Sequence, residues 1–156
     1  MINIYIDADG CPVKNEVFRV ARRYAIRVFV VTNSTIKLPE DKLFELVVVG
    51  SQFDAADNWI VERVNETDIV VTGDIPLAAR CLEKLARVVS PKGRVFTEDS
   101  IGNAMANREL ASHLREIGEI SGGPAPFQKR DRSVFLQRLD DLIQAVLKEQ
   151  RKAKEE

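Results

Sequence analysis

The sequence predicts an α/β protein of three layers, α/β/α, around a mostly parallel central sheet. Short, nearly continuous apolar segments rich in β-branched residues alternate with stretches of helical periodicity. That is the pattern of βαβ units whose strands are buried on both faces. Two of the apolar segments, Ile4-Tyr5-Ile6-Asp7-Ala8-Asp9-Gly10 and Ile69-Val70-Val71-Thr72-Gly73-Asp74, break off at aspartate and lead into helices. Right-handed crossovers bring such endings to the carboxyl edge of the sheet, where open α/β folds bind their ligands.

Residues 2–6 form the first strand. Val13 to Tyr24 sets Val17, Phe18, Val20, Ala21 and Tyr24 at helical intervals with Arg19, Arg22 and Arg23 between them, an amphipathic helix. Arg27 to Val31 is a second strand ending in Thr32-Asn33-Ser34, and Phe44 to Val49 a third ending at Gly50. Asp57 to Val64 carries Ile60, Val61 and Val64 on one side of a short helix. The fourth strand, Asp68 to Thr72, passes through Gly73-Asp74-Ile75-Pro76 into a helix from Leu77 to Leu85. Pro is tolerated in that first turn, because its missing N–H has no intrahelical partner there. Val88-Val89 and Arg94-Val95-Phe96 are short β segments around the turn Ser90-Pro91-Lys92-Gly93. A helix follows from Ile101 to Ile117, stopping near Gly118. Ser121-Gly122-Gly123-Pro124-Ala125-Pro126 cannot continue it and is a surface linker or an ordered loop. The last helix sets Phe135, Leu139, Leu142, Ile143 and Val146 on one face, and the charged tail from Lys148 is expected to fray.

With 156 residues, 45% hydrophobic and 30% charged, the chain suits one compact domain over residues 1–147 with a charged tail over 148–156. The 23 Lys and Arg nearly balance 24 Asp and Glu, so no global basic field draws the protein to nucleic acid or anionic lipid. Binding of a polyanion therefore needs a local patch. No apolar stretch approaches the roughly 20 residues that span a bilayer, and the N-terminus opens on a strand, so a cytoplasmic protein with no membrane partner is expected. Cys11 and Cys81 are too few for a disulfide framework and are read as reduced thiols.

Asp7 and Asp9 flank Ala8, so in an extended segment they point the same way, about 7 Å apart at Cα. Asp74 ends a strand that can neighbour theirs, Asp57 opens a later helix and Asp54 lies just before it. Like charges so placed repel unless a divalent cation compensates them. All-oxygen ligation suits Mg2+ or Mn2+, and such ions support water attack on a phosphodiester. The competing interpretation gives each acid a purely local role, with Asp9-Gly10 as a turn, Asp57 and Asp74 as helix N-caps and Asp68 as a solvated strand end.

A basic set, Lys129, Arg130 and Arg132, follows the Gly-Gly-Pro loop at the start of a helix, where side chains and backbone N–H groups can engage phosphate. Lys14, Arg19, Arg22 and Arg23 lie on the first helix, where a charge run also serves as a plain solvated face. Thr32, Asn33 and Ser34 offer hydroxyl and amide groups on the acidic edge, for substrate or for capping. His113 sits within a helix as a surface or packing residue. Cys11 has no His partner, and nearby carboxylates oppose its thiolate.

The segments Tyr5-Ile6-Asp7-Ala8-Asp9-Gly10-Cys11-Pro12-Val13-Lys14, Asp54-Ala55-Ala56-Asp57, Val71-Thr72-Gly73-Asp74-Ile75-Pro76-Leu77-Ala78, Ser90-Pro91-Lys92-Gly93 and Gly122-Gly123-Pro124-Ala125-Pro126-Phe127 with Asp131-Arg132-Ser133 resemble the bacterial YaiI/YqxD family, domain of unknown function 188. The resemblance covers residues 2–147. That family is similar to PIN-like domains, and the resemblance implies a PIN-like fold and a metal-dependent ribonuclease site with Asp7, Asp57 and Asp74 at the acidic positions. PIN-like nucleases often carry a further acid soon after the fourth-strand Asp; here Ile75 to Arg80 contains none, and Asp9 is the substitute.

The leading expectation is thus a nuclease acting on RNA with Mg2+ or Mn2+ held by Asp7, Asp9, Asp57 and Asp74, Asp7 and Asp74 being catalytic. Lys129, Arg130, Arg132, Lys14, Thr32, Asn33 and Ser34 would hold the phosphate backbone. A non-catalytic RNA- or protein-binding module is the second reading. The third rests on a likeness of Asp7-Ala8-Asp9-Gly10, Thr32-Asn33 and Gly73-Asp74 to haloacid-dehalogenase-like phosphatases, with Asp7 as nucleophile. Cys11 stands where those enzymes have Thr, and no acid lies four residues after Asp74.

Overall fold

A computed structural model describes residues 1–123 and 125–155 of the chain; Pro124 of the Gly-Gly-Pro loop lies outside the described residues. In chain order the elements are β1 (Asn3–Asp7), α1 (Lys14–Tyr24), β2 (Arg27–Thr32), β3 (Phe44–Val48), α2 (Ala55–Arg63), β4 (Ile69–Val71), α3 (Ile75–Glu83), β5 (Arg87–Val89), β6 (Val95–Phe96), α4 (Glu98–Glu116) and α5 (Lys129–Glu155). The sheet order is β3-β2-β1-β4-β5-β6. The first five strands are parallel and β6 returns antiparallel to β5. This is the mostly parallel α/β/α architecture that the alternating pattern predicts.

Period-two alternation within each strand feeds two cores. Ile4, Ile6, Val28, Val30, Ile69 and Val71 face α1 and α5, joining Val17, Phe18, Phe135, Leu139 and Ile143. Tyr5, Val31, Val70 and Val88 face the other way, joining Ile60 of α2, Leu77 and Cys81 of α3 and Ala104 of α4. Both sides of β1 and β4 are covered, which is why these strands read as unbroken apolar runs. β1 lies between β2 and β4, so the chain leaves it in one direction for β2 and β3 and later returns on its other side as β4 and β5. That reversal opens a crevice beyond the carboxyl ends of β1 and β4.

Several local features differ from the expectations, and α3 spans Ile75–Glu83, two residues earlier at each end than expected, because Asp74 caps it. The helix α2 begins at Ala55, two residues early, because Asp54 turns the chain with a left-handed backbone, φ 63°. The helix α4 begins at Glu98, since Thr97 and Ser100 cap each other: the Thr97 hydroxyl accepts from Ser100 N at 3.1 Å and the Ser100 hydroxyl from Thr97 N at 3.0 Å. Asp68 is no solvated strand end: it is fully buried, and its carboxylate accepts from Asn3 N at 3.1 Å and Asn65 N at 3.0 Å, tying the amino ends of β1 and β4. The charged tail stays helical as far as Glu155, where Arg87 of β5 holds Glu149 at 2.6 Å and Lys152 and Lys154 complement the helix dipole.

Candidate acidic site at the carboxyl edge

A cavity of about 440 Å3 opens at the crevice, and its wall includes Asp7, Asp9, Asp54, Asp57 and Asp74 with Asn33. Among the described residues no Lys, Arg or His contributes to that wall. All four acids expected as metal ligands are therefore brought to one small volume, by three different segments of chain.

Hydroxyls of the two strands flanking β1 set the first two acids. Thr72, just past β4, donates to Asp7 Oδ2 at 2.8 Å and accepts from Asp74 N at 3.0 Å. Thr32, at the end of β2, donates to Asp9 Oδ1 at 3.0 Å. Asp7 ends the strand and Asp9 lies in the turn beyond it, so the two acids swing toward opposite neighbours rather than pointing the same way. Asp74 caps α3 by accepting from Leu77 N at 3.0 Å, so its capping role and its place in the cavity wall coexist. Asp57 does not cap α2; it stands in the first turn, behind Asp54.

Burial raises the Asp7 carboxyl above the usual carboxylate range, and the Asp74 and Asp9 charges push the same way against the lowering Thr72 hydrogen bond. Asp57 is pushed up to about 6, by burial first and then by the charges of Asp74, Asp7 and Asp54. The site is thus anionic and under mutual repulsion. Among the described residues no three Asp, Glu, His or Cys side chains are arranged to hold a metal ion by themselves. The donor chemistry nevertheless fits Mg2+, which keeps several waters and is bound through one or two carboxylates plus substrate phosphates rather than in an all-protein cage.

The remaining expected site residues divide. Asn33 reaches the cavity, whereas Thr32 is buried against Asp9 and accepts from Ser34 N at 3.2 Å. Lys14 spends its ammonium on the backbone of the acidic loop, donating to Cys11 O at 2.9 Å and Ala8 O at 3.3 Å. Arg132 donates to Pro12 O at 2.7 Å and to buried Glu16 at 2.8 Å, and its guanidinium lies 4.9 Å from the Phe127 ring centroid. It thereby ties the start of α5 to the start of α1. Lys129 and Arg130 are exposed at the first turn of α5 and do not contribute to the cavity wall. Lys92 donates to Ala125 O, anchoring the loop after Gly123 to the β5–β6 turn. Cys11 also lines the cavity, but burial pushes its thiol up.

Thr72 is the functional neighbour that reasoning from sequence missed. Its signal is the repetition of Val-Val-Thr at 30–32 and 70–72, which marks two strands with a hydroxyl at the same end. Gln52 and Pro91 also line the cavity without an expected role.

The family model described as "Uncharacterized BCR, YaiI/YqxD family" matches residues 5–145. The chain belongs to this family. A YaiI/YqxD-type chain of this length has curated relatives named UPF0178 protein: one from Rhodospirillum centenum is 57% identical over 150 residues, 94% of this chain and 97% of the relative. Another, from Nitrobacter winogradskyi, is 50% identical over 145 residues, 93% and 92% of the two chains. A third, from Bradyrhizobium diazoefficiens, is 50% identical over 143 residues, 92% and 86%. No solved structure matches this YaiI/YqxD-type chain. Among its described residues no helix is long and apolar enough to cross a membrane.

Proposed function

We propose that the protein is a Mg2+- or Mn2+-dependent nuclease acting on RNA, with Asp7 and Asp74 as its central acids and Asp9 and Asp57 beside them. One observation carries this reading: five carboxylates share one cavity wall that contains no cationic side chain. Such a wall stabilises a bound cation, and it repels an anionic substrate unless one is present. When bound, the ion would supply charge stabilisation and an activated water for phosphodiester hydrolysis.

The chain's own contribution is positional. Thr72 and Thr32 fix the rotamers of Asp7 and Asp9, as partners of ligating carboxylates do. Asn33 offers an amide to a substrate hydroxyl or phosphate at the same edge. Exposed Lys129 and Arg130 remain available to a longer strand. The likeness of Asp7, Asp57 and Asp74 to the acids of PIN-like ribonucleases supports the same reading.

The test is incubation with pooled single-stranded and structured RNAs in Mn2+, Mg2+ or EDTA, beside Asp7→Asn and Asp74→Asn. Cleavage is expected only with the metals and only for the unsubstituted protein. Cleavage that persists in EDTA and in both variants refutes the reading. RNA binding with no turnover under any metal marks instead a non-catalytic module, and a phosphate covalently held on Asp7 marks a phosphatase.

A further inference from the structure

A second cavity, of about 590 Å3, lies beside α1 and is lined by Asn15, Phe18, Arg19, Arg22, Arg23 and Pro39. Among the described residues its wall holds three guanidinium groups and no carboxylate, the opposite of the acidic cavity. In a chain of net charge −1 this concentration does not follow from composition. The spacing 15, 19, 22 and 23 places these side chains along one stripe of the helix, while Val17, Val20 and Ala21 turn into the core.

The two cavities are lined by neighbouring stretches of the chain. The loop carrying Asp9, Gly10 and Cys11 leads within four residues to Asn15, so the groove begins in the first turn of α1. From there it follows α1 for eight residues, about 12 Å at 1.5 Å per residue. On its other side runs the connection from Asn33, which lines the acidic cavity, to Pro39, which lines the groove.

Two of the three arginines are engaged, both at exposed positions, and the Arg22 guanidinium also lies 5.2 Å from the Phe44 ring centroid. Arg19 makes no ion pair among the described residues. Arg22 meets Asp41 at 3.1 Å and Arg23 meets Asp140 at 3.7 Å, with arginine side chains that are 50% and 60% exposed. Exposed pairs of this kind are weak, and a phosphate that accepts a bidentate guanidinium competes with them. Arginine rather than lysine at all three positions suits that geometry.

We propose that this groove is the docking track for the sugar–phosphate backbone of the strand whose scissile bond enters the acidic cavity. The proposal rests on the nuclease reading and adds the path of its substrate. The cation at the acidic edge and the arginines of α1 then act on successive phosphates of one strand.

The test is fluorescence anisotropy of labelled oligouridylate and oligothymidylate, in EDTA and across a salt series, with the unsubstituted protein, Arg19→Glu, Arg23→Glu and the α4 surface control Arg108→Glu. Each groove reversal is expected to weaken binding about tenfold and to lower the slope of log affinity against log salt by about 1. Arg108→Glu is expected to match the unsubstituted protein, and the two oligomers distinguish RNA from DNA as the strand. Arg19→Gln and Arg23→Gln replace the reversals if thermal melting shows that a reversal disturbs folding. Groove variants that bind with the original affinity and salt slope overturn the proposal, as does displacement of the strand by polyglutamate at equal charge. The two ideas fail separately. A protein that binds through the groove yet cleaves nothing in Mn2+ or Mg2+ removes the nuclease reading alone. One that cleaves equally well with both arginines reversed removes the track alone.

Discussion

Replacing Asp57 by Asn should stabilise the metal-free protein at neutral pH and leave it unchanged in acid. Burial and the charges of Asp74, Asp7 and Asp54 raise the Asp57 carboxyl from 3.8 to about 6. A group that binds its proton more tightly folded than unfolded lowers stability as pH rises between those two values, and the loss is complete above the higher one. Two units correspond to about 3 kcal/mol. Asp57 is only half-buried, so solvent screening reduces this to about 1 kcal/mol. Asn keeps the shape and an N–H donor toward Asp54 but carries no charge. The expected gain is about 1 kcal/mol at about pH 7.5 and none at about pH 4, measured by urea unfolding in EDTA. In thermal melts it amounts to about 3 °C. Added Mg2+ should shrink the gain, because a bound cation relieves the same repulsion. Destabilisation at neutral pH, or an equal gain at both pH values, refutes the electrostatic account.

Other perturbations address the scaffold. Arg132→Ala strips the cation from buried Glu16, whose Oε2 already has no hydrogen-bond partner, and should cost about 2 kcal/mol in urea unfolding. Adding Glu16→Gln should recover part of that loss, and no recovery would remove charge burial as its cause. Gly93→Ala should cost about 2 kcal/mol: φ is 88° and a Cβ would stand 2.6 Å from Val134 Cγ1 and 3.0 Å from Phe135 N, so melting near the parent temperature contradicts this packing. Burial pushes Cys81 up to about 12 and raises Cys11. Neither thiol should therefore react with a disulfide reagent at about pH 8 until the protein is unfolded, when both should.

The acids were legible because a strand end is a local event. Asp7 and Asp74 each terminate an apolar run, and five consecutive parallel strands put such ends on one edge. Thr32 and Thr72 were not legible as orienting groups, because their roles depend on β1 lying between β2 and β4, a pairing of distant segments. The same holds for Arg132, whose partners Pro12 and Glu16 lie more than a hundred residues away and turn a basic residue at a helix start into a brace. Asp68 misled for a related reason: a carboxylate at a strand end reads as solvated until the backbone N–H groups of Asn3 and Asn65 arrive to satisfy it in the interior. Three helix starts shifted for local reasons, the left-handed turn at Asp54, the Asp74 cap of α3 and a Thr97–Ser100 capping box lacking the usual Glu or Gln.

The acidic edge also shows which electrostatic effect prevails. The helix α3 begins just beyond β4 and α2 begins within the cavity wall, so two positive helix ends lie at the carboxylates. Each such end favours a nearby anion by about 0.3–1 kcal/mol, which lowers a carboxyl pKa. Asp74 caps α3, and the Thr72 hydroxyl lowers Asp7. Yet Asp7 and Asp57 are both raised, and at Asp7 burial with the charges of Asp74 and Asp9 outweighs the hydroxyl. Tying down the ends of β1 and β4 at the opposite edge, through Asp68, costs no such repulsion, since that carboxylate stands alone among backbone donors. The mutual repulsion among carboxylates therefore belongs to the edge where the strands end in acids, and it is this repulsion that the proposed cation would relieve.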